Sequence, residues 1–368
     1  MGQVFPGDPA PWFHQRSFAN PNFAFDTVAG RYLVLCLFGS ASNELAKAAL
    51  AAAKARADFF DDAPASFFGV SADPADETEK RIADRYPGYR FFLDFDRKIS
   101  SLYGASDETS VYQPRWVVID PTLRIIRDIP FQQDRSDIAT LNALIDALPP
   151  PAQFAGISLQ APVIFLQNVF EPDLCRLLVA QFDADGGEES GFMRDVGGKT
   201  VGIYDHGHKS RKDFYIGDEK LTRAVQQRIV RRIVPEIKKI HQFDVTRMER
   251  YVVARYAAED GGHFRAHRDN TTRATAHRRF AVSINLNEDY EGGEISFPEY
   301  GPRSLKPPAG GAVIFSCSLL HQVSKMTRGA RYAFLPFLYD DAAAKIRQEN
   351  RQFLAESAKP EAKATGLS

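Results

Sequence analysis

The chain has 368 residues, 44% of them hydrophobic and 25% charged, with a formal net charge of −1. This length predicts two domains, and the balanced charge argues against nucleic acid or an anionic membrane as partner, since binders of either carry a basic excess. Cys36, Cys175 and Cys317 are far apart and form no Cys-x-x-Cys pair; this excludes a disulfide scaffold or a thiolate zinc site and fits a reducing compartment.

In chain order, the opening MGQVFPGDPAPW has no basic stretch leading into an apolar core, and Pro6 breaks the acylation pattern that Met1-Gly2 begins. No apolar run approaches the ~18 residues of a membrane span, so a cytoplasmic chain with no membrane partner is expected. RYLVLCLFG reads as a strand buried on both faces, followed by an Ala-rich helix (NELAKAALAAAKARADFF) with Asn43 as its N-cap. SFFGVSAD predicts a second buried strand, then a helix over 74–86. RFFLDFD and RWVVIDPTLRIIRDIP predict later strands, and TLNALIDAL a helix that the Pro149-Pro150-Pro151 run must end. Alternating strands and helices imply an α/β sheet.

The proline run marks a linker, and the pattern changes after it. Helices are expected over 172–182 and 219–241, then many short strands from 247 to 339 broken by Gly and Pro. Helices beside a strand-rich core suit an α+β double-stranded β-helix, a jelly roll. An Ala/Lys/Arg/Glu-rich surface helix and a frayed tail close the chain. The expected division is 1–147, a linker over 148–162, a second domain over 163–342 and the tail over 343–368.

The chemistry concentrates in the second half. His267 and Asp269 stand at i and i+2, which on a strand aims an imidazole and a carboxylate the same way. His321, at the end of a later apolar strand, can return to the same pocket. Two histidines and a carboxylate make the facial triad of non-haem Fe(II) oxygenases; a solvated pair or a zinc site is the plainer alternative. Arg331, within the apolar strand GARYAFLPFLY, is costly to bury unless paired, either internally or with a bound carboxylate.

With RYVVARYAAEDGGHFRAHRDN, RRFAVSINLNEDYEGGEISFPEYG and LKPPAGGAVIFSCSLLHQVSKMTRGARYAFLPF, residues 163–342 resemble the prolyl 4-hydroxylase-type Fe(II)/2-oxoglutarate dioxygenases, including the bacterial PKHD-type hydroxylases. The resemblance implies His267, Asp269 and His321 as iron ligands, Arg331 as anchor of the distal 2-oxoglutarate carboxylate, and Tyr256 as a further contact to that co-substrate. It also implies Fe(II), 2-oxoglutarate and O2, with ascorbate as an auxiliary reductant, and oxidative decarboxylation coupled to hydroxylation of a peptidyl or small amino-acid-like substrate. The Gly292-Gly293-Glu294 turn reads as strand geometry. His206 and His208, in YDHGHKSRKDFYI, fall in a flexible basic loop where the family carries a lid. His263 is a candidate for the pocket rim and Arg279 for its lining, whereas His277 reads as solvated.

With PGDPAPWF, FDTVAGRYLVLCLFG, FFGVSADPADE, FFLDFDRKISSLYG and QPRWVVIDPTLRIIRD, residues 5–147 resemble the peroxiredoxin/thioredoxin-like fold. Ser40, Ser42 and Asn43 fill the loop where that family places its active cysteine, and Cys36 lies inside the strand. A redox-inactive domain is implied, kept for docking, dimerisation or substrate presentation, with a homodimer or a protein partner to match. Gln113-Pro114 reads as the cis-proline of that fold. The rival readings are a thiol-dependent peroxidase or reductase and a non-enzymatic interaction protein.

Overall fold

The eight apolar residues YLVLCLFG form β1 (Tyr32–Gly39), buried along its whole length. Asn43 caps α1 (Glu44–Ala55) by accepting the Leu45 N–H, and Ala46, Ala49 and Ala53 make its buried stripe. β2 (Ala65–Ser71), α2 (Pro74–Thr78), β3 (Tyr89–Leu93), α3 (Lys98–Leu102), β4 (Arg115–Ile119), β5 (Ile125–Pro130) and α4 (Ser136–Ala147) follow. The strand order is β3-β2-β1-β4-β5. β1, β2 and β3 pair in parallel, while β4 and β5 run antiparallel to their neighbours. This is a thioredoxin-like sheet.

This computed structural model describes residues 2–106, 111–355 and 365–367. It divides into two units, 1–160 with Pro298–Pro302, and Ala161–Phe297 with 303–368. The helix expected over 74–86 stops at Thr78, because Lys80 takes a left-handed conformation (φ 55°). Among the described residues the cis peptide is Tyr86–Pro87, not Gln113–Pro114.

The second unit opens with β6 (Ile164–Leu166) and α5 (Pro172–Asp185). The hairpin β7 (Phe192–Val196) and β8 (Lys199–Ile203), then β9 (Lys209–Ser210) and β10 (Lys212–Tyr215), lead to α6 (Glu219–Arg232) and α7 (Val234–His241). The single helix expected over 219–241 is thus two, broken at Ile233 just before Pro235, which has no N–H to continue the ladder. Leu221, Val225 and Ile229 make the buried stripe of α6.

The strands that carry the site come next. They are β11 (Arg247–Glu249), β12 (Val252–Ala257), β13 (His263–His267), β14 (Phe280–Asn285), β15 (Tyr290–Glu291), β16 (Ile295–Ser296), β17 (Ser304–Leu305), β18 (Ala312–Ser316), β19 (His321–Val323), β20 (Arg328–Phe334) and β21 (Phe337–Tyr339), followed by α8 (Asp341–Asn350). One sheet runs β9-β13-β19-β16-β17, and the larger one contains β11-β21-β14-β20-β12-β10. Two antiparallel sheets of this kind make the jelly roll. α5, α6 and α7 pack Leu178, Val225, Ile229 and Ile237 into the same apolar cluster as Val253, Ile284, Phe334 and Leu338 of the larger sheet.

Candidate functional site

β13 and β19 lie antiparallel with His267 directly opposite His321, below a register shift between Phe264 and His267. The strand ends at His267, so Asp269 belongs to the turn beyond it rather than to the strand face. Its backbone N–H donates to Cys317 O at 2.9 Å, while Arg268 donates to Ser318 O and Asn270 to the Ser318 hydroxyl. The turn after one histidine is therefore laced to the turn before the other. His267, Asp269 and His321 offer ligand atoms that all lie within 4.8 Å of one another. His267 Nε2 is 3.6 Å from Asp269 Oδ1, and His321 Nε2 is 3.3 Å from Asp269 Oδ2.

The imidazoles are oriented from behind. His267 Nδ1 is 2.8 Å from Arg265 O, and His321 Nδ1 is 3.0 Å from Leu319 O. Each Nδ1–H donates to its carbonyl, which leaves both Nε2 lone pairs facing the carboxylate. Burial, reinforced by the nearby His267, pushes the His321 pKa down to about 4, so this ring is neutral at pH 7. Burial would raise the Asp269 carboxyl, but His321 and His267 outweigh it and hold it well below the usual carboxylate range. Two imidazole nitrogens and one ionised oxygen suit a divalent iron, and three protein donors leave positions open for other ligands.

Arg331 sits on β20, register partner of Tyr256 on β12. It is 1% exposed. Its guanidinium donates to Asn285 Oδ1 (3.0 Å), Gly293 O (3.0 Å) and the Ser283 hydroxyl (2.8 Å). All three acceptors are neutral, and no carboxylate of the described residues pairs with it, so a buried cation stands uncompensated. The Tyr256 ring lies 5.7 Å from this guanidinium, and its hydroxyl accepts from Arg211 at 3.3 Å.

Several residues differ from their sequence readings. Gly293 is more than strand geometry: its carbonyl holds Arg331, and at φ 65° an added Cβ would sit 2.3 Å from Met326 Sδ. His277 is fully buried rather than solvated, donating to Glu249 at 2.9 Å. Glu249 also accepts from Arg278 (2.9 Å) and Arg347 (3.0 Å), and Arg278 lies 3.5 Å from the Asp269 carbonyl oxygen. Glu249 and Arg278 carry no motif, and only the folded chain brings them behind Asp269. Arg279 donates to the Ala276 carbonyl at 2.9 Å.

The basic loop is partly ordered by pairing. β9 joins β13 through Lys209↔Phe264, and His208 packs against Phe192 with the rings tilted and their centroids 4.4 Å apart. His206 meets Glu189 at the surface, and His263 bonds Gly261 O. Phe264, not singled out by any motif, stacks on His267 at 3.5 Å.

Residues 251–339 match the family model of the 2OG-Fe(II) oxygenase superfamily, and residues 6–128 that of the AhpC/TSA family. The chain thus resembles one family in its first part and the other in its second. A PKHD-type hydroxylase, PiuC of Pseudomonas aeruginosa, is 40% identical over 82 residues, covering 20% of this chain and 36% of that protein. The match thus spans about a third of the curated relative. A PKHD-type hydroxylase of Pseudomonas paraeruginosa matches over the same length at 39% identity. A prolyl-4-hydroxylase structure from Pseudomonas putida is similar at TM-score 0.37 and 20% identity, covering 49% of this chain and 94% of that one. The AhpC structure of Mycobacterium tuberculosis is similar at TM-score 0.32 and 18% identity, covering 40% of this chain and 97% of that one.

In the AhpC/TSA segment the loop after β1 is tied down by carboxylates. Asp76 accepts the Ala41 N–H at 2.9 Å and the Ser71 hydroxyl at 2.7 Å, and Ser40 donates to Asp73 at 2.6 Å. Cys36 is fully buried, and burial pushes its thiol pKa well up. That is the opposite of what a nucleophilic thiolate requires.

Proposed function

We propose that the second unit is an Fe(II)- and 2-oxoglutarate-dependent dioxygenase that hydroxylates a peptidyl or small amino-acid-like substrate. The observation that carries this reading is Arg331, a buried guanidinium lacking any carboxylate partner among the described residues, in the same barrel as a His-Asp-His cluster. Its fork fits the distal carboxylate of 2-oxoglutarate. Hydroxylation as the reaction is supported by the names of the PKHD-type relatives.

In this reading His267, Asp269 and His321 would hold the iron, which would supply O2 activation with 2-oxoglutarate, one oxygen atom going into succinate as CO2 leaves and the other into a substrate C–H bond. The chain does the positioning. Arg331, kept in place by Ser283, Asn285 and Gly293, binds and orients the co-substrate. Tyr256 packs along it. The apolar faces of Phe264, Phe315 and Phe297 beside the two imidazoles exclude water. The first unit serves docking, dimerisation or substrate presentation, supported by its tied loop and its buried thiol. Cytoplasmic action belongs to the same proposal, and no helix among the described residues is long and apolar enough to cross a membrane.

An anaerobic titration with Fe(II) and 2-oxoglutarate tests this. A charge-transfer absorption band is expected for the full chain and is lost in Asp269→Asn and in His321→Ala. Iron affinity equal to wild type in both variants overturns the assignment.

A further inference from the structure

Lys209, Arg211 and Asp213 are all buried, and the Ser190 hydroxyl gathers them: it accepts from Lys209 at 2.8 Å and from Arg211 at 3.1 Å and donates to Asp213 at 2.6 Å. Asp213 Oδ2 accepts from Arg211 at 2.7 Å and from Arg250 at 3.0 Å. Lys209 donates to the Ser190 hydroxyl at 2.8 Å and to Gly191 O at 2.5 Å, both neutral. Two guanidiniums therefore share one carboxylate, and the Lys209 ammonium beside them has none within ion-pair distance. The Nε of Arg211 is buried without a hydrogen-bond partner. Burial, then the neighbouring Arg211, drives the Lys209 pKa well below its ordinary value, the mark of a cation short of counter-charge. The cluster adjoins the metal centre: Lys209 Nζ lies 4.9 Å from the Phe264 ring, and that ring stacks on His267.

We propose that this cluster is a carboxylate-binding subsite for the primary substrate, which makes that substrate an anionic, amino-acid-like molecule carrying a free carboxylate. The proposal rests on the dioxygenase reading above. Charge assigns the occupant. Divalent iron with Asp269 carries one net positive charge and Arg331 another, so the two carboxylates of 2-oxoglutarate balance them. The excess on Lys209, Arg211 and Arg250 remains after the co-substrate is bound, and uncompensated buried charge is costly. Lys209 also holds Gly191, at the foot of the β7–β8 hairpin, so a carboxylate arriving at Lys209 meets the residue that fixes that hairpin.

The test uses the full chain loaded with Mn(II) and 2-oxoglutarate, and a panel of N-acetyl amino acids presented as free acids and as amides. Proton relaxation of each probe by Mn(II) reports binding beside the metal. At least one acid is expected to relax, its amide to bind about tenfold more weakly, and Lys209→Met and Arg211→Met each to weaken the acid about tenfold. Affinity for 2-oxoglutarate should stay within about twofold in Lys209→Met, since Arg331 and Tyr256 are intact. If Arg211→Met does not fold, Lys209→Met and the acid–amide comparison decide. Acids and amides that are indistinguishable across the panel, absence of relaxation included, overturn the proposal. So does an acid that competes with 2-oxoglutarate, which assigns the cluster to the co-substrate. Failure of the wild-type chain to bind Mn(II) or 2-oxoglutarate at all is read separately and overturns the dioxygenase reading itself.

Discussion

Arg331 makes three hydrogen bonds in three directions, and this sets what a substitution there must do. Arg331→Lys keeps the charge but loses the planar fork, so 2-oxoglutarate affinity should fall about tenfold or more while iron affinity without co-substrate stays as in wild type. Isothermal titration of each ligand separates the two effects; equal loss of both contradicts the anchoring role. A second residue tests pH dependence. Burial would raise the Asp62 carboxyl, but its paired bonds from Arg90 at 2.7 Å and the Ser66 hydroxyl hold it down to about 2. The unfolded value is about 3.9. A depressed carboxyl stabilises the fold above the unfolded value, and the contribution disappears as pH falls from about 4 to about 2. Asp62→Asn should therefore cost about 1 kcal/mol at pH 7, after solvent screening of a partly exposed pair. The gap from wild type should shrink through this range and close only below about pH 2. Trp12 and Trp116, the two tryptophans, both lie in the first unit, so their fluorescence during urea unfolding reads it.

At the scale of elements, Glu249 on β11 joins three others: the turn that carries His277 and Arg278, the Asp269 backbone behind it, and α8 through Arg347. Burial opposes the charge on Glu249, yet Arg278 and His277 keep its carboxyl well below the usual range. Glu249→Gln leaves two guanidiniums facing a neutral amide, and a loss of about 3–5 kcal/mol is expected. Circular dichroism during urea unfolding measures it, and a loss below about 1 kcal/mol would show the network to be incidental. Glu249 and Arg347 fall outside the matched segment 251–339, so α8 belongs to the support of this site although the family model ends before it.

At the scale of the whole molecule, the two units divide the chemistry unequally. The first has a thioredoxin-like sheet whose loop after β1 carries Ser40, Ser42 and Asn43 and no cysteine, and its own cysteine is sealed inside β1. We expect peroxide consumption with a thiol reductant to be the same in wild type and Cys36→Ser, and Cys36 to resist alkylation until the chain is unfolded. Turnover that disappears with Cys36 would restore the peroxidase reading.

Much of the fold was legible because its signals are local. Continuous apolar runs, the Asn43 cap and the proline run each act over a few residues. The His-x-Asp pair, His321 and Arg331 were legible as residue types whose placement in an apolar strand or a tight spacing is costly without purpose. Helix lengths were not: the 74–86 helix stops where Lys80 turns left-handed, and the 219–241 helix breaks before Pro235. Tertiary structure alone decided what depends on distant charges meeting. It buried His277 against Glu249, turned the Gly293 carbonyl toward Arg331, and set Arg211 and Arg250 on a single carboxylate with Lys209 beside them. The sequence by itself determined that sulfur is missing from the redoxin loop and that histidines and a carboxylate recur in the second half. Which charges are left without partners, and hence what the barrel is built to receive, follows only from folding, because burial is what makes an unpaired charge costly.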